Sequence, residues 1–311
     1  MTSILSIALN PTVDLSCDAQ QVVPTRKTRT HNQKYYPGGG GVNVARVVAE
    51  LGGAVDLLYM SGGATGTILD ECLAETRIQC QRVQIAAQTR LSFTVHDKTN
   101  AEEYRFVPEG PMVDGTELDQ MLDSVQAFDG QYVVVSGSLP PGVPPDIYAR
   151  IAQIAKRQGV RFVLDSSGEG LRRTIEKAPV FLMKPNIREL EFLVGRPLGK
   201  DDAQQAAQQL VADGAADNIV VSLGGEGAFL VTATSVKYLP AKEVTVRSAV
   251  GAGDSFLGAM TFSLAAGHPM ETAFLFGVAA GASAVMTPGT ELCHREDVFR
   301  FFEELETANR A

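Results

Sequence analysis

Apolar positions follow two alternating patterns along this chain. Short runs rich in Val, Ile and Leu are apolar throughout, which is typical of strands covered on both faces of a parallel sheet. Between them lie stretches with the apolar spacing of helices. The pattern predicts an α/β fold with a mainly parallel sheet. Predicted strands are 4–9, 55–60, 132–136, 162–165, 181–184 and 219–223, with an antiparallel pair at 229–232 and 236–239; predicted helices are 42–51, 67–75, 145–158, 189–194, 203–212, 255–266 and 270–286.

Two regions depart from this alternation. Segments 12–17 with 30–36, and 90–95 with 103–107, alternate polar and apolar residues with no helix between them. They predict a small antiparallel β sheet inserted into one domain that spans residues 1–311, placed as a lid over a site. Such strands expose open edges unless they are paired. We therefore expect a homodimer joined through the lids.

The composition of the chain argues against nucleic acid and membranes as its partners. The 311 residues are 45% hydrophobic and 20% charged, with a net charge of −9 and no block of Lys and Arg, so neither nucleic acid nor an anionic membrane is expected as a partner. The first residues form a strand pattern rather than a signal peptide, and no apolar run is long enough to span a membrane. Four cysteines without CxxC spacing indicate a reducing, cytoplasmic compartment.

One short segment carries the clearest chemistry. Gly251-Ala252-Gly253-Asp254 directly precedes the apolar run of a buried helix. A helix N-terminus offers unpaired backbone N–H groups that suit a transferring phosphate, and glycines let the backbone come close to it. Asp254 there is suited to take a proton from an incoming hydroxyl. The alternative is an acidic residue favoured in a first helical turn by the helix dipole.

A second glycine-rich segment precedes an earlier helix. Gly38 to Gly41 are four consecutive glycines, and Asn43 follows in the first helical turn, within reach of a sugar hydroxyl. A flexible loop before a helix is the alternative. Asp14 follows the first predicted strand, at the edge where open α/β sheets bind ligands, and is either a ligand for vicinal hydroxyls or an ordinary turn residue.

Basic residues are concentrated in or beside the lid segments of this acidic protein. Lys27, Arg90 and Arg105 together suit a phosphorylated substrate, although solvated lid charges would also explain each of them. Ser138 follows the strand at 132–136 and is placed to touch a substrate. Its surroundings lack the pattern of a hydrolase nucleophile.

Two further segments at strand ends suit a nucleotide. Asn186 and Glu189 either form a helix-capping box or serve a hydrated Mg²⁺, which prefers oxygen ligands. The glycines of 222–228 either build a tight hairpin or receive nucleotide phosphates and ribose. Neither a GxGxxG fingerprint nor a Walker A motif is present.

Taken in order, these motifs resemble those of the ribokinase superfamily, specifically the sugar kinases of the PfkB family, over essentially the whole chain. Within that family, the glycine run, Tyr104-Arg105-Phe106 and Asp165-Ser166-Ser167-Gly168-Glu169 are most similar to the minor, type-2 bacterial 6-phosphofructokinases. The segments that carry the family resemblance are Asn10-Pro11-Thr12-Val13-Asp14, the glycine run with Asn43, Ser136-Gly137-Ser138-Leu139-Pro140, Lys184-Pro185-Asn186 with Glu189, and Gly251-Ala252-Gly253-Asp254.

The resemblance implies a ribokinase-like three-layer α/β/α fold and ATP-dependent phosphorylation of fructose 6-phosphate at its 1-hydroxyl, with Mg²⁺. Asp254 is then the base, and the amides of Gly251, Ala252 and Gly253 form the anion hole. The implied sugar ligands are Asp14, Gly39, Asn43 and Ser138, with Lys27, Arg90 and Arg105 on the sugar phosphate; the implied ATP ligands are Lys184, Asn186, Ser222, Gly224 and Gly227; and the implied K⁺ positions are Ser248, Val250, Ala284, Thr287, Gly289 and Glu291.

One departure and two alternatives accompany this hypothesis. The chain has Thr287-Pro288-Gly289-Thr290-Glu291 where the resemblance leads us to expect Asn-Gln-Gly-Thr-Arg, so Glu291 reverses a charge beside the expected K⁺ site. Inhibition by a second ATP is likewise open. A related kinase acting on fructose 1-phosphate or tagatose 6-phosphate is one alternative. A sugar-phosphate sensor without catalysis is the other.

Overall fold

A computed structural model describes residues 3–310, so residues 1, 2 and 311 of the expected domain lie outside the described residues. Nine strands form one sheet in the order β13-β12-β11-β10-β9-β8-β1-β4-β5. All pairings from β11 to β5 are parallel, and β12 and β13 add an antiparallel end. The strands of this sheet are β1 (Ile4–Ala8), β4 (Val55–Ser61), β5 (Gln79–Gln84), β8 (Tyr132–Ser136), β9 (Arg161–Asp165), β10 (Leu182–Met183), β11 (Asn218–Ser222), β12 (Ala228–Thr232) and β13 (Val236–Leu239).

Helices cover both faces of this sheet. Successive residues of a strand point to opposite faces, so Ile7 packs with α3 to α7 while Ala8 packs with α1, α2, α8 and α9. The expected three-layer α/β/α architecture is confirmed. The helices are α1 (Gly40–Glu50), α2 (Gly63–Ala74), α3 (Gly115–Gln126), α4 (Ile147–Arg157), α5 (Gly168–Lys177), α6 (Ile187–Val194), α7 (Lys200–Ala212), α8 (Ala252–Ala265), α9 (Met270–Ala284) and α10 (Arg295–Arg310), with a 3₁₀ turn at Gly224–Glu226.

The lid is a second sheet of four strands in the order β3-β2-β6-β7. Its outer pairings are antiparallel as expected, but β2 and β6 run parallel, so the lid is a mixed sheet. The reason lies in the larger sheet: β2 follows β1 and β6 follows β5, and these two parallel strands end at the same edge. The lid strands are β2 (Thr12–Ala19), β3 (Thr30–Gly38), β6 (Arg90–Asp97) and β7 (Glu103–Phe106).

The two lid faces differ in chemistry. The register places Tyr35, Leu15, Phe93 and Phe106 in one row across the sheet, and three of these four side chains are exposed by 40–60%. The adjacent residues along each strand point to the other face, which is polar. The polar face lies against the loops before and after the α8–α9 pair, where Glu103 accepts a hydrogen bond from Ser248.

Four elements lie outside the predicted ones. Strand β5 reads Gln-Cys-Gln-Arg-Val-Gln and is an exposed edge strand, so it lacks an apolar run. Helices α3, α5 and α10 are polar on average, and their short apolar stripes were not distinguished from loops. A capping box between Asp114 and Glu117 was the available signal for α3. Across the described chain, no helix combines the length and the apolar character needed to cross a membrane.

Candidate active site

The site lies where the strand order of the larger sheet reverses. Strand β1 pairs with β4 on one side and β8 on the other, and the chain leaves it in the β4 direction before returning to β8. Open α/β sheets bind ligands beyond the carboxyl ends of strands at such a point. Asn10 follows β1, Ser136 and Ser138 stand at the end of β8, and Asp165 ends β9.

Asp254 lies over this crevice in the first turn of α8. Gly251 caps that helix in a left-handed conformation (φ 71°) and supplies no side-chain hydrogen bond to the first N–H groups. The Oδ2 atom of Asp254 accepts a hydrogen bond from Asn43 Nδ2 at 2.8 Å, and its Oδ1 atom accepts one from Ser136 Oγ at 3.2 Å. Residues from α1, β8 and α8 therefore meet at one carboxylate, beside backbone N–H groups that lack side-chain partners.

The surroundings of Asp254 shift its proton equilibrium. Burial and the nearby carboxylate of Asp165 raise the pKa of Asp254 to about 6, while the Asn43 amide, Lys184 and Ser136 act in the opposite direction. A general base works best when its pKa is near the operating pH. The carboxylate is thus mostly ionised at neutral pH and remains basic enough to accept a proton.

Below the α8 N-terminus lies a buried ion pair. Lys184 Nζ is 3.1 Å from Asp165 Oδ2, and the two side chains are only 5% and 14% exposed. A Cβ added to Gly253 would lie 3.3 Å from Lys184 Nζ, so the lysine sits directly under the glycine turn. Burial lowers the pKa of Lys184, but the carboxylates of Asp165, Glu189 and Asp254 together raise it above its ordinary value, so the ammonium is kept charged. A buried positive charge therefore lies directly beneath the backbone N–H groups of the helix N-terminus.

The expected sugar ligands lie on the other side of Asp254. Asp14 of β2 packs its carboxylate against Gly38, where a side chain would collide with it. Burial raises the pKa of Asp14 to about 6, and the positive charges of Arg105 and Arg90 oppose the rise. The two arginines therefore lie close enough to Asp14 to lower its pKa. A carboxylate beside two guanidinium groups suits a pocket for a sugar that carries a phosphate.

Arg90 and Ser138 are linked through Asn10. The Arg90 guanidinium donates to the carbonyl oxygens of Asn10 at 2.7 Å and Pro108 at 3.0 Å. Asn10 in turn donates from its side chain to Ser138 Oγ at 3.2 Å. The side-chain oxygen of Asn10 and the Nε atom of Arg90 are buried without a partner among the described residues. Unsatisfied buried polar groups of this kind are uncommon in folded proteins.

The glycine run is required by close packing. Gly39 has φ 97° and caps α1, and a Cβ on it would lie 2.9 Å from the Cα atom of Pro11. A side chain there is excluded both by the backbone conformation and by the turn after β1. The run thus brings the backbone against that turn, and it places Asn43 opposite Asp254.

The expected nucleotide ligands also lie together. Asn186 forms an isolated parallel bridge with Ser222, and Leu223 N donates to Gly227 O at 2.8 Å to close the hairpin. The capping box is present, because Asn186 Oδ1 accepts from Glu189 N at 3.0 Å and Glu189 Oε2 accepts from Asn186 N at 2.8 Å. The helix-capping interpretation of these two residues therefore holds, and one Glu189 oxygen still lacks a capping role.

The expected K⁺ positions occupy two adjoining loops. Ser248 N donates to Val285 O at 3.3 Å, and Ser248 Oγ accepts from Val250 N at 3.2 Å while donating to Glu103 of the lid. The Ala284 carbonyl already accepts from Thr287 Oγ1 at 2.8 Å. Gly289 adopts a left-handed conformation near Ser16, and Glu291 turns its carboxylate toward Tyr36 (3.4 Å) and Lys34 (3.8 Å) on β3.

One expected ligand lies away from this cluster, and several neighbours were not anticipated. Lys27 is exposed in the loop between β2 and β3 and has no hydrogen bond or ion pair with any residue from 3 to 310. Ser136 and Arg46 were not proposed as ligands, and Asp165 entered only through the resemblance. The position of Asp165 at the end of a predicted strand could have identified it. Arg46 lies three residues after Asn43 on a helix, so the sequence indicates only that the two side chains share one helix face.

Comparison with known proteins shows the family to which this chain belongs. The sequence profile described as "pfkB family carbohydrate kinase" matches residues 1–297. The chain belongs to the pfkB family of carbohydrate kinases. Among family members, "ATP-dependent 6-phosphofructokinase isozyme 2" of Mycobacterium tuberculosis (strain CDC 1551 / Oshkosh) is 42% identical over 303 residues, which cover 96% of this chain and 89% of that protein.

Solved structures of pfkB kinases have the same fold. Phosphofructokinase-2 from Escherichia coli has been crystallised with potassium (TM-score 0.94, 38% identity) and with fructose-6-phosphate (TM-score 0.93, 37% identity), and each comparison covers 98% of this chain and 100% of the other. A ribokinase from Arabidopsis thaliana, at 18% identity, matches the fold alone with a TM-score of 0.78, covering 97% and 99% of the two chains. The expected ribokinase-like fold is confirmed.

Proposed function

We propose that this pfkB kinase transfers the γ-phosphoryl group of ATP to the 1-hydroxyl of fructose 6-phosphate and produces fructose 1,6-bisphosphate. The observation that carries the proposal is the Asp254 carboxylate, held by Asn43 and Ser136 at the N-terminus of α8. On one side lies a pocket with Asp14 and two arginines, and on the other the buried Lys184. The Mycobacterium tuberculosis relative is named a 6-phosphofructokinase, and the Escherichia coli phosphofructokinase-2 was crystallised with fructose-6-phosphate.

The transfer follows from these positions. The 1-hydroxyl oxygen forms a bond to the γ-phosphorus as the bond from that phosphorus to the β–γ bridging oxygen breaks, and ADP leaves with the electron pair. Asp254 takes the hydroxyl proton. The N–H groups of Gly251, Ala252 and Gly253 stabilise charge on the γ-phosphoryl oxygens, since phosphoryl transfer depends mainly on positioning and charge stabilisation.

The sugar phosphate is held by groups matched to its two ends. Asp14, Asn43, Ser138 and the backbone of Gly39 bind hydroxyls, and Arg90 and Arg105 bind the 6-phosphate, for which the planar guanidinium is well suited. Lys27 is assigned to the same phosphate, although it is exposed in its loop in the isolated chain. On the nucleotide side Lys184, Asn186, Ser222, Gly224 and Gly227 bind ATP.

The residues present fit a hydrated Mg²⁺. The carboxylates of Asp165, Glu189 and Asp254 lie around the single cation Lys184, and Asp165 raises the pKa of both Glu189 and Asp254 because the like charges repel. Glu189 and Asn186 would hold Mg²⁺ through its water ligands, because Mg²⁺ prefers oxygen ligands and usually keeps several waters. When bound, Mg²⁺ neutralises phosphate charge.

The residues present fit K⁺ only in part. Ser248, Val250, Thr287 and Gly289 lie on adjoining loops, but the Ala284 carbonyl is occupied by Thr287 and the Glu291 carboxylate is turned toward the lid. We therefore keep K⁺ binding as a proposal for these loops and assign no step of the transfer to it. Replacing KCl by choline chloride in the assay measures whether turnover depends on K⁺.

The assembly proposal concerns the lid. Tyr35, Phe93, Phe106 and Val107 are exposed apolar side chains on or beside its strands, with 40–60% of their surface in solvent. A second copy of the chain is the expected cover for this face, which gives a homodimer joined through the lids.

A coupled assay of ADP release over a panel of ketoses tests the function. We expect the highest kcat/KM with fructose 6-phosphate, and much lower values with fructose 1-phosphate, tagatose 6-phosphate and free fructose. A preference for either of the other two phosphosugars would replace the proposed substrate. Absence of ADP release with every sugar would instead indicate a sensor that binds sugar phosphate without catalysis.

A further inference from the structure

Arg46 connects three segments around the site. It lies on α1, three residues after Asn43, and its Nη1 atom donates to the Pro37 carbonyl at 3.0 Å, to Asn43 Oδ1 at 3.3 Å and to the Thr290 carbonyl at 3.2 Å. These acceptors belong to the end of β3, to α1 and to the loop after α9. One guanidinium therefore contacts the glycine run, the amide that holds Asp254, and the loop beside the anion hole.

Arg46 and Asp254 contact opposite ends of the Asn43 amide and favour the same orientation. The two ends of an amide have nearly the same shape but opposite hydrogen-bonding character. Asn43 Oδ1 accepts from Arg46 while Asn43 Nδ2 donates to Asp254 Oδ2 at 2.8 Å. A flipped amide would place its oxygen against the carboxylate and its NH₂ group against the guanidinium. Arg46 therefore makes a single orientation favourable.

The guanidinium of Arg46 is partly exposed and is held by neutral oxygens rather than by an ion pair. Burial lowers the pKa of Arg46 and the carboxylate of Asp14 opposes that change, although no carboxylate of residues 3–310 lies within ion-pair distance. Its planar donors are therefore directed at the Pro37 and Thr290 carbonyls and at Asn43. Arg295 and Arg77 line the same region nearer the surface and do not contact Asn43.

We propose that Arg46 is a positioning residue for the phosphoryl transfer: by holding the Asn43 amide in one orientation, it aims the Asp254 carboxylate at the acceptor hydroxyl. This inference depends on the proposed function, because it assigns a role within that reaction. Arg46 contacts neither the reacting atoms nor the expected position of either substrate. It also donates to the Pro37 and Thr290 carbonyls and interacts electrostatically with Asp14, but its link to Asp254 passes through Asn43.

A cavity beside Arg46 makes the inference testable by chemical rescue. The cavity has a volume of about 620 Å³ and is lined by Arg46 together with Glu50, Arg77, Glu291 and Arg295. Truncation of Arg46 to alanine would join the vacated space to this cavity. A small guanidinium ion from solution then has a route to the position of the missing side chain.

The experiment compares Arg46→Ala with wild type and with Arg77→Ala, which removes the same charge from the same cavity without touching Asn43. For Arg46→Ala we expect kcat to fall about 10–100-fold with KM for ATP within about threefold of wild type, since a general base contributes about 10²–10⁴-fold. Methylguanidinium should restore kcat at least about fivefold, as expected for a vacated donor site, whereas methylammonium should not. Arg77→Ala should match wild type.

The pH profile gives a readout that a purely structural role would not change. The charged groups facing Asp254 are Lys184 and Asp165 from the sheet side, and Arg46 lies behind Asn43. With Arg46 removed, the Asn43 amide is held by Asp254 alone, and a displaced or flipped amide would donate less well to Asp254 and disfavour its ionised form. The acidic limb of log kcat should move to higher pH in Arg46→Ala, and methylguanidinium should move it back.

Distinct outcomes overturn the inference and the proposed function. The inference is wrong if Arg46→Ala keeps kcat within about twofold of wild type, or if kcat falls with an unchanged pH limb and no rescue. Should Arg46→Ala fail to fold, Arg46→Lys serves instead: its ammonium cannot reproduce the planar donor, so the same direction of change is expected, and wild-type kinetics would refute the role. Wild type without any ADP release refutes the proposed function, and this inference with it.

Discussion

At the scale of residues, the carboxylates of Asp254 and Asp14 are both partly buried, yet the proposed reaction needs both in the ionised form. Asp254 and Asp14 both have a pKa of about 6, raised mainly by burial, and each lies where the proposed reaction needs an anion. A folded-state pKa above the unfolded value means that the ionised group destabilises the fold at neutral pH. Catalytic competence and stability are therefore opposed at these two positions.

Replacing Asp254 by Asn separates the two effects. We expect kcat to fall by about 10²–10⁴-fold with KM for the sugar phosphate nearly unchanged, because the base is lost and the shape is kept. The amide oxygen can still accept from Asn43, and the amide nitrogen can donate to Ser136. Loss of the destabilising charge should also raise the free energy of unfolding by on the order of 2 kcal/mol at pH 8.

Steady-state kinetics and thermal unfolding of Asp254→Asn measure these changes. The gain in stability should shrink as the pH falls from 8 to 5, where the wild-type carboxyl becomes protonated. Near-normal turnover in this variant would refute the assignment of Asp254 as the base.

The pH dependence of the wild-type rate follows from the same shift. Asp254 must be ionised to accept a proton, so kcat at saturating substrates should fall as the pH drops through about 6. Since Asp14 titrates in the same range, kcat/KM for the sugar phosphate should fall more steeply than kcat. The phosphate of the substrate also titrates near pH 6 and affects KM, so kcat is the cleaner measure. A kcat that is constant down to pH 5 would contradict the role of Asp254.

The two arginines near Asp14 should affect binding rather than turnover. Arg90→Ala or Arg105→Ala is expected to raise KM for fructose 6-phosphate by about 10-fold or more, because a charged hydrogen bond to phosphate contributes about 1.5–3 kcal/mol. The kcat value should change by less than about threefold, since neither side chain contacts the reacting atoms in the proposed pose. Arg173→Ala is the matched control, because Arg173 lies at an exposed helix position and, among residues 3–310, forms ion pairs only with Glu169 and Glu176. Unchanged KM in both variants would favour a substrate without a phosphate.

At the scale of elements, glycines at the ends of strands and helices set the site, but for different reasons. In the turn between β11 and β12, Gly224 (φ 60°) and Gly227 (φ 108°) both have left-handed backbones. A Cβ on Gly224 would meet open space, whereas a Cβ on Gly227 would collide with the backbone of Leu239, Pro240 and Ala241. Both residues are proposed as nucleotide ligands, but close packing requires a glycine only at Gly227.

Alanine at these two positions distinguishes packing from binding. Gly227→Ala should lower the free energy of unfolding by about 3 kcal/mol or more, because backbone atoms cannot move aside as a flexible side chain does. Gly224→Ala should cost only about 1–2 kcal/mol from its left-handed conformation. Chemical denaturation of both variants measures the difference. Equal destabilisation would show that the contact with the β13 end does not determine the role of Gly227.

At the scale of the whole molecule, the lid has a polar face toward the site and an apolar face toward solvent. Glu103 bonds to Ser248, and Glu291 reaches Tyr36 and Lys34, so the lid is tied to the loops that flank the α8 N-terminus. Its outer row of Tyr35, Phe93 and Phe106 remains partly exposed in a single chain. A cover from a second copy would bury this row and hold the lid over the sugar pocket.

Charge placed on the outer face should dissociate the proposed dimer. We expect the double variant Phe93→Glu with Phe106→Glu to sediment as a monomer, since burial of two carboxylates in an apolar interface is strongly unfavourable. Met112→Glu introduces a charge at an equally exposed apolar residue outside the lid and should leave the mass unchanged. A wild-type monomer at micromolar concentration, or a double variant with wild-type mass, would contradict assembly through the lid.

Much of the architecture and part of the site could be read from the chain alone, because these features are local. Apolar runs predicted the inner strands, and the Gly251–Gly253 turn before an apolar helix indicated an anion site with Asp254 beside it. The capping box of Asn186 and Glu189 is likewise a relation between neighbours in sequence. The polar edge strand β5 and helices α3, α5 and α10 were not predicted, because their stabilising contacts are made with distant parts of the chain.

Contacts between segments that are distant in sequence could not be predicted and are visible only in the tertiary structure. The parallel pairing of β2 with β6 depends on where β1 and β5 end in space, and the Lys184–Asp165 pair depends on two adjacent strands. Arg46 is separated by 244 residues from Thr290, and Asn43 by 211 residues from Asp254, so no local pattern could reveal their link. Residue types and their spacing specify what each segment can do chemically, whereas the direction of a side chain and the partners that shift its pKa arise only when the segments pack together.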